Sequence, residues 1–180
     1  TPTATWPRLL LSADVEAEVS VSADVQRAPR LARARIAPPR DGTTQAKDAH
    51  LVSGGTSGLG LLTARWLAQR GVRRLTLASR SGALARDATT ERAQLQDSGA
   101  RADVARGDVA EAADVTRMMV NAYAELTALS GVGHAAGGLA GGVLADQSSR
   151  TLHRAYGPKV HGAMLLVRLS AASELDACVL

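Results

Sequence analysis

Short apolar runs alternate with amphipathic stretches along the chain from about residue 48 onward. Apolar runs that end at glycine or polar residues predict buried strands, and apolar residues recurring at three- and four-residue intervals predict helices. The predicted strands cover residues 49–52, 74–79, 102–105, 129–134 and 176–180. The predicted helices cover residues 61–69, 87–97, 112–126 and 148–173, the last of them broken at Gly157-Pro158.

This alternation predicts an α/β fold, a Rossmann-type doubly wound parallel sheet with helices on both faces. The strand at the very end of the chain has no helix to cover it, so the sheet is expected to be truncated after the fifth strand. In the first helix we expect Leu62, Trp66 and Leu67 to face inward and Gly71 to end the helix. The third helix places its expected core residues at helical spacing: Val115, Met118, Met119 and Ala122.

The first part of the chain follows a different pattern. Residues 9–11 and 15–25 predict one or two short strands, the second with the alternation of a half-buried strand. The stretch 38–44 is rich in proline, glycine and threonine, which is typical of a linker. We therefore predict a short β-rich segment with a linker over residues 1–45, followed by an α/β part over residues 46–180.

Composition narrows the class of protein. Hydrophobic residues make up 46% of the 180 residues and aromatic residues only 2%, so the core must be aliphatic. The net charge of +4 fits either a solvated surface or an anionic partner, whereas dispersed basic residues with few aromatic side chains disfavour nucleic acid. No membrane span or secretory signal is recognisable. The single cysteine, Cys178, is expected to be a buried strand residue, which fits the reducing cytoplasm.

A glycine-rich turn joins the first strand to the first helix, with the sequence Ser53-Gly54-Gly55-Thr56-Ser57-Gly58-Leu59-Gly60. Glycines let the backbone turn tightly and approach a pyrophosphate, whose charge then lies at the positive end of the helix. An ordinary strand–helix connection is the alternative, but the strand–turn–helix context favours a dinucleotide site. A Walker A loop is excluded, because Leu61 and Leu62 stand where it needs Lys and Ser or Thr.

Candidate binding residues also follow the later strands. Arg80, after Ser79 at the end of the second strand, favours the 2′-phosphate of NADP over NAD, although a solvated arginine is the alternative. Asp108 could bond the adenine edge while Val109 packs on the ring, or it could cap a helix. Gly137-Gly138 lets backbone approach a ligand at the carboxyl edge of the sheet. Three histidines show no metal-ligand spacing, so no metal site is predicted: His134, His153 and His161.

Taken together, these residues resemble the ketoreductase domain of polyketide synthases, an extended-type member of the short-chain dehydrogenase/reductase superfamily. Five segments occur in the family's order over residues 49–180. They are the glycine turn, Leu77-Ala78-Ser79-Arg80-Ser81-Gly82, Gly107-Asp108-Val109-Ala110, Gly133-His134-Ala135-Ala136-Gly137 and Pro158-Lys159-Val160-His161-Gly162. Ser53 and Ser57 replace a Thr and a Gly of the family pattern. Ala28-Pro29-Arg30-Leu31 resembles the end of the structural subdomain that precedes this fold.

The resemblance implies an NADPH cofactor and places Lys159 in the family's catalytic tetrad. The lysine would lower the pKa of a tyrosine that gives a proton to the reduced carbonyl, while a serine holds the oxygen. That Ser, Tyr and Asn are expected beyond Leu180, since Tyr123 and Tyr156 lie in other elements, so the chain alone is expected to be inactive. The implied cofactor-binding residues are Ser53, Gly54, Gly55, Thr56, Ser57, Gly58, Leu59, Gly60, Ser79, Arg80, Asp108, Val109, Ala135, Ala136 and Gly137.

The resemblance also implies a reaction and its partners. A β-ketoacyl group carried on an acyl carrier protein would be reduced to a β-hydroxyacyl group, with other polyketide synthase domains as further partners. Leu139-Ala140-Gly141 stands where many members carry Leu-Asp-Asp, which implies the opposite hydroxyl stereochemistry. The alternative is a catalytically silent cofactor-binding or structural module, and the residues after Leu180 would separate the two. The isolated chain is expected to be marginally stable and to aggregate.

Overall fold

The computed structural model describes residues 20–22, 25–33, 49–123 and 129–179. The chain divides into two compact units, Thr1–Arg40 and Asp41–Leu180. In the first unit, strands β1 (Ser20–Ser22) and β2 (Val25–Arg27) pair in antiparallel fashion. The predicted strand over residues 9–11 and the predicted linker over 38–44 lie outside the described residues, and the boundary after residue 45 stays a prediction.

The second unit is built on a five-stranded sheet in which every pairing is parallel. Its strands are β3 (Ala49–Ser53), β4 (Arg74–Ser79), β5 (Arg101–Arg106), β6 (Leu129–His134) and β7 (Ala177–Val179). Their order in the sheet is β5-β4-β3-β6-β7, so the chain runs outward to one edge and then returns to the centre. The direction of winding changes between β3 and β6, the place where this fold class binds ligands. The predicted Rossmann-type parallel sheet is confirmed.

Helices cover both faces of the sheet. They are α1 (Gly58–Gln69), α2 (Thr89–Asp97), α3 (Ala112–Ala122), α4 (Ser149–Tyr156) and α5 (Gly162–Ser170), and the π-helical turn Gly157–His161 joins α4 to α5. Leu51 and Val52 are adjacent in β3 and belong to two different cores, because successive strand residues point to opposite faces. Leu51 packs with residues of α3 and α5, and Val52 with residues of α1 and α2. The expected core residues of α3 are all buried: Val115, Met118, Met119 and Ala122.

The predicted inward face of α1 was partly wrong. Leu67 is buried, but Leu62 is 41% exposed and Trp66 51% exposed. The buried stripe instead begins one residue earlier and follows helical spacing through Leu61, Ala64, Leu67 and Ala68. The Trp66 ring lies against the Arg70 guanidinium, 5.0 Å from the ring centroid. Gly71 follows the end of α1 with a φ of +96°, so the predicted end of this helix is confirmed.

Two predictions near the end of the chain also need correction. β7 is a strand, but all three of its residues are exposed, so Cys178 is exposed and not buried. β7 pairs with β6 at the edge of the sheet, and none of its three residues is buried by a helix of the described chain. Helical structure continues through Gly157-Pro158 by widening to a π turn, and Pro158, near the start of that turn, lacks the N–H that an unbroken α-helix would use. None of the described helices combines the length and apolar character needed to cross a membrane.

Candidate functional site

A cleft of about 1060 Å³ opens at the carboxyl ends of the strands. Four strand-end segments meet there, following β3, β4, β5 and β6 in the chain. They bring together most of the predicted binding residues: Gly54, Thr56, Ser57, Gly58, Leu59, Gly60, Ser79, Arg80, Asp108, Val109, Ala135, Ala136 and Gly137. Ser53, Gly55 and Lys159 are not among the residues that line the cleft.

The glycine turn is shaped by close backbone approaches. Gly54 has a φ of +69°, and a Cβ atom on it would lie 2.7 Å from the backbone of Ala135. A Cβ atom on Gly60 would lie 2.2 Å from the Gly54 carbonyl oxygen. A side chain on Gly54 would push the turn away from the segment that follows β6, and one on Gly60 would push α1 away from the turn. The first turn of α1 is therefore held directly against the point where β3 and β6 end.

The N-terminus of α1 presents a positive end to the cleft. Its N-cap residue Ser57 has an extended backbone and makes no side-chain capping hydrogen bond. The first turn carries no acidic residue, and Ser57, Gly58 and Leu59 are exposed. The first backbone N–H groups of a helix have no partner within the helix and carry partial positive charge. This end of α1 can therefore accept an anionic group such as a phosphate.

Ser53 is buried beside the cleft and takes part in a partly buried chain of hydrogen bonds. The Ser53 Oγ is 2.6 Å from Nδ1 of His134, and Nε2 of His134 is 2.9 Å from the Pro158 carbonyl oxygen. A carbonyl oxygen can only accept, so Nε2 carries the proton and donates it to Pro158. In neutral histidine Nδ1 then accepts from the Ser53 hydroxyl. The chain links β3 and β6 to the π turn that carries Lys159.

Burial lowers the pKa of His134 from its ordinary value of 6.5, and the hydrogen bond to the Pro158 backbone opposes this shift. The lowered pKa favours the neutral ring, which is the form that both hydrogen bonds require. His134 therefore serves as a structural link between the ends of β3 and β6 and the π turn.

Gly55 and Lys159 lie outside the lining for different reasons. Gly55 faces the interior, where a Cβ atom would lie 2.6 Å from the Val52 carbonyl oxygen and 3.1 Å from the Leu77 side chain. Lys159 is exposed on the π turn, and its neighbours Gly157 and Pro158 do line the cleft. The Lys159 Cε lies 3.3 Å from where a Cβ atom of Gly137 would be. The lysine side chain thus passes over Gly137 at the margin of the cleft.

Asp108 has a hydrogen-bonding role within its own loop. Its Oδ1 accepts from the Ala110 N–H at 2.9 Å, and its own N–H donates to Oδ2 of Asp114 at 2.7 Å. That N–H, together with the Arg117 guanidinium 2.6 Å from Asp114 Oδ1, lowers the pKa of Asp114. The N-cap of α3 is Glu111, so Asp108 does not cap this helix. No described residue donates to the second carboxylate oxygen of Asp108, which can accept from a ligand.

Sequence reasoning missed several residues around the cleft. His153 and Arg154 of α4 line it, and Arg106 and Arg117 line a second cavity beside Arg80. None of these four residues belongs to a recognisable motif. The one signal in the sequence was that each lies close to a segment already assigned to the site. Among the described residues, no group of three or more His, Cys, Asp or Glu side chains comes close enough to hold a metal ion.

The family comparison decides what this fold belongs to. The family model for the KR domain matches residues 48–180. The chain belongs to the KR domain family. This membership confirms the resemblance seen in the sequence. Members of the KR domain family are Rossmann-type reductases that use a nicotinamide dinucleotide. The choice between NADP and NAD stays a prediction.

Curated relatives of this KR chain are polyketide synthases. The pikromycin polyketide synthase component PikAIII of Streptomyces venezuelae is 37% identical over 174 residues, which cover 95% of this chain and 11% of the relative. A 6-methylsalicylic acid synthase of Arthrobotrys oligospora is 33% identical over 177 residues, covering 90% of this chain and 10% of the relative. The KR chain therefore spans about a tenth of the length of these relatives.

Solved structures agree with this assignment. A-type ketoreductases from a modular polyketide synthase match the KR chain with a TM-score of 0.74 and 34% identity, over 94% of this chain and 36% of theirs. The first ketoreductase of the tylosin polyketide synthase matches with a TM-score of 0.71 and 31% identity, over 96% of this chain and 37% of its own.

Proposed function

We propose that the chain forms the NADPH-binding part of a β-ketoacyl reductase in a polyketide synthase. The substrate would be a β-ketoacyl group on an acyl carrier protein and the product the corresponding β-hydroxyacyl group. The observation that carries this proposal is the single cleft at which four strand-end segments meet. Such a cleft, at the point where the winding of a parallel sheet changes direction, is where this fold class binds dinucleotides.

The residues present fit an NADPH cofactor. The glycine turn forms a cradle that a Cβ atom on Gly54 or Gly60 would fill, and α1 offers its uncapped N-terminus to the pyrophosphate. Arg80 is exposed beside the cleft, and its guanidinium suits a 2′-phosphate better than a ribose hydroxyl. Val109 would pack on the adenine ring while the second oxygen of Asp108 accepts from the adenine amino group.

When bound, the cofactor supplies the hydride for carbonyl reduction. Ala135, Ala136 and Gly137 would hold the nicotinamide half at the end of β6. The Lys159 ammonium, at the margin of the cleft, would lower the pKa of a nearby tyrosine and so help that tyrosine give its proton to the carbonyl oxygen. The hydrogen-bond chain from Ser53 through His134 to Pro158 holds the turn that carries this lysine.

Neither tyrosine of this chain is placed to be the proton donor. The Tyr123 hydroxyl hydrogen-bonds to Ser173, the Tyr156 ring packs edge-on against His161, and neither residue lines the cleft. The donor, with its serine and asparagine companions, is expected in the residues that follow Leu180. A serine and a downstream Tyr-x-x-x-Asn there would support the reductase. Their absence would support the second candidate, a silent cofactor-binding module, which the same cleft without a proton donor also fits.

The carrier-protein part of the proposal draws on charge. The chain has a net charge of +4, which complements an acidic carrier protein and would speed its association. The relatives named as polyketide synthases support the presence of neighbouring synthase domains as further partners.

Binding of NADPH and NADH to the chain tests the proposal, measured by cofactor fluorescence with Arg80→Ala alongside. We expect saturable binding with a preference for NADPH, and a drop in that preference of about tenfold in Arg80→Ala, because a charge-assisted contact to the 2′-phosphate is lost. Arg101→Ala is the charge-matched control. Arg101 is the first residue of β5, at the end of the sheet away from the cleft, so this variant should keep the preference for NADPH. Absence of binding by a folded chain would contradict the proposal.

A further inference from the structure

A second cavity, of about 520 Å³, adjoins the main cleft on the side of Arg80. It carries three arginine and two aspartate side chains around one glycine. Its lining consists of Arg80, Arg106, Gly107, Asp108, Asp114 and Arg117. Arg80, Gly107 and Asp108 line the main cleft too, so the two cavities are adjacent.

Sheet register brings Arg106 next to Arg80. Arg106 is the last residue of β5 and lies opposite Ser79, the last residue of β4, after which Arg80 follows. The Gly107 N–H donates to the Ser79 carbonyl oxygen at 3.0 Å and fixes the two strand ends together. A Cβ atom on Gly82 would lie 2.6 Å from the Arg106 Cβ and 3.1 Å from its Cγ. The stem of Arg106 therefore packs against the loop that presents Arg80.

The charges around this cavity do not balance locally. Arg117 donates to Asp114 Oδ1 at 2.6 Å and to the Arg106 carbonyl oxygen at 3.0 Å, so its guanidinium is neutralised. Asp108 accepts from the Ala110 N–H within its own loop. In the described parts of the chain, no hydrogen bond or ion pair engages the guanidinium of Arg80 or of Arg106. Beside the Arg117–Asp114 pair, Arg80 and Arg106 carry two positive charges against the one negative charge of Asp108, so the cavity keeps an excess positive charge that attracts an anion.

We propose that Arg106 is a second specificity-determining residue, which binds the 2′-phosphate of the cofactor adenosine together with Arg80. The inference rests on the NADPH site proposed above. A phosphate monoester offers three oxygens and close to two negative charges, which two planar guanidinium groups can share through charge-assisted hydrogen bonds. A ribose hydroxyl in the same place would leave the excess positive charge of the cavity uncompensated. Arg106 thereby adds to the discrimination between NADP and NAD.

Calorimetric titration of the chain with adenosine 2′,5′-bisphosphate and with adenosine 5′-monophosphate isolates this contact, because the two ligands differ only by the 2′-phosphate. We expect the wild-type chain to bind the bisphosphate more tightly. Arg106→Ala should lower that preference by about five- to tenfold, and the affinity for the monophosphate should change by less than about twofold. Arg106→Lys should retain part of the preference, and Arg101→Ala, on the same strand, all of it. Added salt should weaken the wild-type preference.

The outcomes separate this inference from the proposed function. If Arg80→Ala lowers the preference for the bisphosphate and Arg106→Ala does not, the role of Arg106 is wrong and the cofactor site stands. An equal loss of affinity for both nucleotides in Arg106→Ala would also overturn the inference, because the residue would then support the loop and not the phosphate. If the folded wild-type chain binds neither nucleotide, both the site and the role of Arg106 are wrong.

Discussion

His134 shows how one side chain can join the parts of a site that lie far apart in the chain. Its two ring nitrogens bond to Ser53 at the end of β3 and to Pro158 in the π turn, and both bonds need the neutral ring. Because burial lowers its pKa below 6.5, the folded protein takes up this proton less readily than the unfolded chain does. The contribution of His134 to stability is therefore complete above pH 6.5 and is lost as the pH falls toward its lowered pKa.

We therefore expect the urea concentration at the midpoint of unfolding to decrease as the pH is lowered from about 7.5 to about 5.5, the range in which histidines titrate. His134→Asn should show a smaller fall across this range, and His153→Gln, on the exposed surface of α4, should behave like the wild type. Urea unfolding followed by circular dichroism at several pH values provides the measurement. An unchanged pH dependence in His134→Asn would show that another group is responsible.

Residues in the glycine turn and after each strand could be predicted because parallel strands all end at one edge of the sheet. Ser53 was placed with them, but the strand alternation turns its side chain under the cleft, toward His134. Arg106 went unnoticed because its nearness to Arg80 depends on the pairing of β5 with β4. Contacts between neighbouring strands depend on which strands pair and in which register, and this pairing cannot be read from a single sequence. The assignment of the cleft residues to a cofactor stays a prediction.

At the scale of the element, the position of α1 along the chain was predicted correctly, but the face that it buries was predicted wrongly. Leu61 and Leu62 are both apolar, and about 100° of rotation separates adjacent residues of a helix. We expect Leu67→Ala to lower the free energy of unfolding by about 2–5 kcal/mol, because it would leave a cavity against β3 and β4. Leu62→Ala should change it by less than about 0.5 kcal/mol. Chemical denaturation of the two variants tests this difference.

Equal losses in the two leucine variants would contradict the observed face of α1.

The strands could be predicted more accurately than the helix faces, since β4 and β6 have the predicted bounds, 74–79 and 129–134. A buried run between glycine or polar residues marks both ends of a strand. The pair Gly157-Pro158 predicted a break because proline disrupts an ordinary α-helix, whereas a π turn accommodates it.

For the whole molecule, the two edges of the sheet differ in character. The β5 edge carries charged residues at Arg101, Asp103 and Arg106, which discourage pairing with another strand. The β7 edge, Ala177–Val179, has no charge and is fully exposed. Helix α5, which precedes β7 in the chain, also exposes Met164, Val167 and Leu169. An uncharged, exposed edge strand favours self-association, and so do exposed apolar side chains.

We expect the isolated chain to associate as its concentration rises, and Val179→Lys to reduce this association by placing a charge on the β7 edge. Val104→Lys, on the opposite edge, should have little effect, because charged residues already protect β5. Sedimentation velocity over a range of concentrations measures this. A wild-type chain that stays monomeric, or equal effects of the two substitutions, would contradict the role of β7.

The exposed Cys178 should react with a thiol reagent in the folded chain.

The π turn Gly157–His161 holds one residue more than an α-helical path between α4 and α5 would need. The wide turn absorbs this residue at Pro158, which has no backbone N–H to donate, and keeps α4 and α5 on one helical path. A further residue inserted before the turn would rotate everything after it by about 100° about the helix axis. Leu166, now fully buried, would swing away from its core, and Lys159 would leave the margin of the cleft. The length of this segment is therefore under tighter constraint than its individual residues, and an insertion or deletion here would cost more than most substitutions.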